Sequence, residues 1–180
     1  MTTGSILKDR PGRNPLTWII HIFNLSFLLA VNPVPAILLI TRYPEVVDSS
    51  HPAIEIPWLL RGLEIGGLVL YVMGFFLMAW ALMKLGHNYQ AGGSAPRIAD
   101  EMVLEGPYRL VRHPMYTAAL GISLGLACLI QSLALLLVFG IYLGLIIRLI
   151  STEERRLRQA YGEEYITYQQ KVKKLVPLFF

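Results

Sequence analysis

Residues 113–147 read HPMYTAALGISLGLACLIQSLALLLVFGIYLGLII, 35 positions without a formal charge. A single α-helix of that length would rise about 52 Å at ~1.5 Å per residue, whereas the hydrocarbon core of a bilayer is only ~30 Å thick. The run must therefore fold back on itself. The adjacent polar pair Gln131 and Ser132 sits near its middle and divides it into two short antiparallel spans, residues 115–130 and 133–150.

Working outward from this hairpin, residues 14–41 and 65–83 form two further charge-free stretches of 28 and 19 residues. Each is long enough for one crossing, giving spans at about 16–40 and 58–85. The expectation is an all-α fold: a polytopic membrane helical bundle of four transmembrane helices, in one domain over residues 1–180. Asn32, Pro33 and Pro35 should kink or break the first span, because proline forfeits a backbone donor, while His21 and Asn24 would face the bundle interior. Gly62 with Gly66, Gly121 with Gly125 and Gly140 with Gly144 have the small-x-x-x-small spacing that lets helices approach closely. Arg61 and Glu64 form an i, i+3 pair at the start of the second span.

Composition agrees with this reading. The 180 residues are 54% hydrophobic and 16% charged, with mean hydropathy +0.52, which excludes an ordinary water-soluble domain. Four spans place fourteen of the sixteen Lys and Arg on one side, leaving Arg42 and Arg61 on the other. Basic segments stay in the cytoplasm, so both termini, the loop 86–114 and the tail 151–180 are expected there. The net charge of +4 suits an anionic lipid surface and requires no nucleic acid. The N-terminus does not read as a signal peptide, since its apolar run is too long and no small-residue cleavage site follows.

Cys128 lies among Leu and Ala, where packing accounts for it, and one cysteine forms no disulfide within the chain. His21, His51, His87 and His113 are scattered over different elements, so no metal site is expected. Phosphate loops, nucleophile elbows and redox cysteine pairs are missing from the sequence.

Two polar stretches flank the hairpin: EGPYRLVRHPMY at residues 105–116 and STEERRLRQAYGEEYITYQQKVKKL at residues 151–175. The hairpin brings both to one membrane face, where they can wall a pocket for a water-soluble ligand. Pro114 suits the first turn of a helix, which puts Arg112 and His113 at its electropositive N-terminus. Glu153 and Glu154 would favour a cation or a hydroxyl-rich group such as a sulfonium, an amine or a ribose diol. The competing reading makes them a solvated face, with Glu154 paired to Arg158 at i, i+4 for ~0.2–0.5 kcal/mol. His113 likewise reads either as a site residue or as an interfacial anchor or cap. Gly162 should stop one helix and Glu163 should begin another.

GPYRLVRHPMY, a helical hairpin and then EERRLRQAYGEEYITYQQKVKKLVP together resemble the isoprenylcysteine carboxyl methyltransferase and phospholipid methyltransferase superfamily of membrane enzymes. The likeness covers roughly residues 85–177. It implies a cytoplasmic pocket for S-adenosyl-L-methionine and a lipophilic acceptor, a thiol, carboxylate, amine or hydroxyl, entering from the bilayer. Carried over by motif, the cofactor-binding residues are Asp100, Glu101, Met102, Val103, Tyr108, His113, Pro114, Met115, Tyr116, Glu153 and Glu154, with His113 and Tyr116 as catalytic candidates. Three positions depart from the family pattern. Asp100 stands where many members have histidine, Leu149 where the eukaryotic prenylcysteine enzymes have arginine, and AWALMKLG at residues 79–86 lacks the glycine-x-glycine of the phosphatidylethanolamine enzymes. The rival expectations are a nicotinamide-dependent reductase of sterol-type lipids and a non-enzymatic membrane scaffold.

Overall fold

The computed structural model describes residues 56–86 and 102–176. The expected first span, with His21, Asn24 and its prolines, lies outside these residues. So do Asp100, Glu101 and most of the loop before them.

Four α-helices are described: α1 (Pro57–Leu85), α2 (Pro114–Ile130), α3 (Leu133–Tyr161) and α4 (Glu163–Lys171), with a short 3-10 helix at Gly106–Arg109 between α1 and α2. Their ends follow local chemistry. Pro57 and Pro114 open their helices, where a missing N–H costs nothing. Gln131 takes a left-handed conformation (φ 55°) that ends α2, and the Ser132 Oγ accepts from the Leu135 N–H at 3.4 Å to cap α3. Gly162, at φ 56°, ends α3 and begins α4, as the sequence indicated.

The hairpin therefore turns where Gln131 and Ser132 placed it, but its arms are unequal. α2 is 17 residues long and α3 is 29, about 43 Å, so the helix that begins in the uncharged run continues through the polar residues 151–161 up to Gly162. Along it the Ser151 and Thr152 hydroxyls donate to the Ile147 and Arg148 carbonyls, at 2.9 and 3.2 Å, and stay compatible with the helix.

Of the glycine pairs, Gly121 and Gly125 do face α1, whereas Gly62, Gly66, Gly140 and Gly144 meet no atom of the described residues within 4 Å, and the close approach of α1 to α2 runs through Gly67, Gly74 and Gly125. A methyl group placed on Gly67 would lie 2.7 Å from the Gly125 carbonyl oxygen. The Arg61–Glu64 pair does not form; Glu64 instead accepts from the Gln131 Nε2 at 3.2 Å, and the same amide donates to the Leu60 carbonyl, tying the hairpin turn to α1.

Between α2 and α3 the core holds Ala119, Leu120, Tyr142, Ile146, Leu149 and Ile150, joined by Leu175 from the segment after α4. Outward, Phe76, Met83, Leu137 and Ile141 are each about 70% exposed, a surface that water would penalise and lipid would not. α1 and α3 are both long and apolar enough to cross a membrane, and α2 is a shorter apolar helix.

Candidate active site

The site begins at the threshold of α2. Arg112 is shielded from solvent, with a side chain only 7% exposed, and every donor recorded for it ends on protein. Its Nε and Nη2 donate to the Glu154 Oε1 at 2.9 and 2.6 Å, and its Nη1 donates to the Gln169 carbonyl at 3.2 Å and to the Val172 carbonyl. His113 Nε2 donates to the same Glu154 oxygen at 3.3 Å, since an ionised carboxylate only accepts. The other oxygen faces Lys174 at 3.8 Å and Arg158 at 4.0 Å.

Glu154 is thus buried amid bases. Burial by itself pushes a carboxyl up, yet the hydrogen bonds from His113 and Arg112 and the charge of Arg112 outweigh it and hold Glu154 down at about 2. The i, i+4 contact with Arg158 is the longest in the cluster, so the solvated-face reading does not describe this residue. Glu154 is an anchor between elements, with no oxygen left facing open solvent.

Its neighbour behaves differently. Glu153 is half-buried, and its Oε2 accepts from the Tyr116 hydroxyl at 2.9 Å. The Tyr116 ring stacks on His113, centroids 5.7 Å apart and planes inclined by 28°. Of the residues singled out from sequence, His113, Tyr116, Glu153 and Glu154 meet in one cluster. Pro114 is fully buried beside them and Met115 is half-buried. Met102 and Val103 are half-buried ahead of the 3-10 helix, while Tyr108 is buried and its carbonyl accepts from the Tyr168 hydroxyl at 2.6 Å.

The segment after α4 completes the wall. Arg112 N–H donates to the Lys173 carbonyl at 2.7 Å, His113 N–H to the Lys174 carbonyl at 3.1 Å, and the Thr117 hydroxyl to the Leu175 carbonyl at 2.8 Å. Reading the sequence did not single out Lys174, Thr117, Tyr165, Tyr168 or Gln169. Tyr165 and Gln169 lie one turn apart at i, i+4, a spacing that places both on one face of α4. The Tyr165 hydroxyl and the Gln169 amide nitrogen are buried without a hydrogen-bond partner. Burial, and next the Glu154 charge, push the Tyr165 hydroxyl up, so it stays protonated as a donor. A separate groove of about 280 Å³, lined by Leu104, Glu164, Thr167, Tyr168 and Lys171, shares no side chain with the Arg112–Glu154 cluster. Among the described residues no group of His, Cys, Asp or Glu is arranged to hold a metal.

The family profile for phospholipid methyltransferases matches residues 63–164, more than half of the chain, and spans both arms of the hairpin and both glutamates. The chain belongs to the phospholipid methyltransferase family. Within the wider superfamily, it is 27% identical over 139 residues to the protein-S-isoprenylcysteine O-methyltransferase of Schizosaccharomyces pombe, covering 76% of this chain and 59% of that one. Protein-S-isoprenylcysteine O-methyltransferase B of Arabidopsis thaliana is likewise 27% identical, over 113 residues, covering 62% and 57%. The fold is similar to that of the eukaryotic intramembrane Ras methyltransferase ICMT, with a TM-score of 0.57 at 18% identity, over 96% of this chain and 55% of that one. The chain thus spans a little under 60% of the length of the relatives it matches. Family and exposed apolar helices together identify a membrane protein.

Proposed function

We propose that this chain is a membrane-embedded methyltransferase that uses S-adenosyl-L-methionine and methylates a lipophilic acceptor entering from the bilayer. The observation that carries this reading is the meeting of Tyr116 with Glu153, and of His113 with Glu154, across 37 and 41 residues of sequence at the mouth of an apolar hairpin. Family membership names the chemistry. In the four-span arrangement, both termini, the loop 86–114 and the tail 151–180 face the cytoplasm, where fourteen of the sixteen Lys and Arg then lie.

The donor set fits such a ligand. Glu153 offers carboxylate oxygens for a cationic or hydroxyl-bearing group, and the unpartnered Tyr165 hydroxyl and Gln169 amide offer donors for an acidic one. S-adenosyl-L-methionine, when bound, supplies an activated methyl on a sulfonium sulfur. Glu153, Tyr116 and His113 would hold it, with Tyr108, Met115 and the segment ahead of the 3-10 helix closing the wall; Asp100 and Glu101 belong to the same proposal.

The chain's own work is alignment and exclusion of water, which can lower a barrier by about 7–11 kcal/mol. His113 accepts a proton when the acceptor is a thiol or amine, and Tyr116, its hydroxyl donating to Glu153, holds that carboxylate in place. Glu154 keeps His113 oriented, a duty different from the direct contact implied by motif. The acceptor carries a thiol, carboxylate, amine or hydroxyl, and the departure at Leu149 argues against the prenylcysteine carboxylate.

The test is transfer of tritiated methyl from S-adenosyl-L-methionine to a total lipid extract by the purified protein in lipid nanodiscs, with the product identified by mass spectrometry. Calorimetric titration with the same donor and with NADPH runs alongside. Donor binding with labelled lipid is expected. NADPH binding without donor binding points to a reductase, and binding of neither points to a scaffold.

A further inference from the structure

We propose that Arg112 is the positioning residue of this site: by holding Glu154 it fixes the rotation of the α3 end that sets Glu154 against His113 and aims Glu153 at Tyr116. The inference rests on the proposed donor-binding reading. It adds a residue that makes no contact with ligand and ties the site to the segment after α4.

The starting point is what already occupies Arg112. Its Nε and Nη2 go to Glu154, and its Nη1 goes to the carbonyls of Gln169 and Val172, so all three nitrogens are engaged with protein and the side chain is only 7% exposed. The guanidinium instead joins three parts of the chain: the α2 threshold, the cytoplasmic end of α3, and the C-terminal end of α4 with the strap that follows. Only a planar fork of five N–H donors matches one carboxylate and two carbonyls at once; lysine carries the charge without that geometry.

The consequence for Glu153 follows from helix geometry. Successive residues on a helix point about 100° apart. With Glu154 pinned inward, Glu153 is left to one side, where its carboxylate meets the Tyr116 hydroxyl at 2.9 Å. A turn of the α3 end by even 30° would sweep a glutamate carboxylate through more than an ångström, outside hydrogen-bond reach. The strap contributes to the same frame, since the main-chain N–H groups of Arg112 and His113 donate to Lys173 and Lys174, and Leu175 is buried in the α2–α3 core. Arg112 thus sets the threshold from both sides.

The experiment separates positioning from bulk stability by using paired variants of the full chain in detergent. Arg112→Met, Arg112→Lys and the double variant Arg112→Met/Glu154→Met are compared with wild type for melting temperature and for S-adenosyl-L-methionine dissociation constant by calorimetry, well below each melting temperature. The double variant removes the uncompensated buried charge and should recover most of the melting temperature lost in Arg112→Met. Its donor affinity should stay at least about tenfold below wild type, the loss expected when a ligand-facing carboxylate is no longer aimed. Arg112→Lys should hold its melting temperature better than Arg112→Met and still bind donor more weakly than wild type. Recovery of wild-type affinity in the double variant, or unchanged affinity in folded Arg112→Lys and Arg112→Met, overturns the proposal. Absence of donor binding in wild type itself refutes the underlying functional reading instead.

Discussion

Gly66 and Gly67 are adjacent on α1, yet alanine at the two positions should move stability in opposite directions. At Gly67 an added methyl would stand 2.7 Å from the Gly125 oxygen and the Leu129 nitrogen, and 2.9 Å from the Cys128 Cβ, about 0.7 Å inside the 3.4 Å where ordinary contact begins. Two of those three neighbours are backbone atoms of α2, which cannot rotate aside, so the helices must part. Overpacking of this kind costs about 1–3 kcal/mol. At Gly66 no atom of the described residues lies within 4 Å, and alanine there should bring the gain of a better helix former, up to about 1 kcal/mol. For a chain of this size 1 kcal/mol corresponds to roughly 2–4 °C. The expected outcome is a melting temperature raised by about 1–4 °C for Gly66→Ala and lowered by about 2–12 °C for Gly67→Ala, read by tryptophan fluorescence in one detergent. Shifts of the same sign, or a neutral Gly67→Ala, would refute the assignment of Gly67 and Gly125 as the α1–α2 contact.

Three further outcomes follow from the site. Glu154, held down at about 2 against an ordinary carboxyl near 4.5, contributes stability that is fully present above the higher value and fades as pH falls toward the lower. Melting temperature should therefore decline across that acid window in wild type, and Glu154→Gln should flatten this component while lowering stability at neutral pH. Tyr116→Phe removes the hydroxyl that donates to Glu153 and nothing else, so it should weaken donor affinity or methyl transfer by about tenfold with a melting temperature within a few degrees of wild type. Ser132→Ala deletes the cap of α3 and should cost about 1 kcal/mol in thermal unfolding while leaving donor affinity unaltered.

The hairpin was legible from arithmetic on one uncharged run, because a bilayer sets a hard length scale and Gln131 with Ser132 is a polar break. The helix start at Pro114 and the stop at Gly162 were legible for local reasons: a fixed φ with a missing donor, and a positive φ. Partners were less readable. The spacing of Gly62 and Gly66 is that of a contact motif, yet which face of a helix turns inward depends on what packs against it, and α2 selected Gly67 and Gly74. The Arg112 fork was invisible for a related reason. Its carbonyl partners, Gln169 and Val172, are main-chain atoms that any residue could supply, so they leave no trace in side-chain type.

The paired glutamates show why adjacency in sequence misleads about role. Both were read as one acidic feature facing one ligand. Neighbouring side chains on an α-helix diverge by about 100°, and here the two meet different partners. One of them had to be buried against α2, and burying a carboxylate demands compensation, supplied here by Arg112 and His113 with Lys174 and Arg158 further off. The other was then free to sit half-buried beside Tyr116. Exchanging their duties would require rotating α3 by most of a third of a turn, and that would carry Ile146, Leu149 and Ile150 out of the core they fill. The apolar face of α3 and the division of labour between its two acids are therefore one constraint: the packing that closes the hairpin also decides which carboxylate is buried and which faces Tyr116.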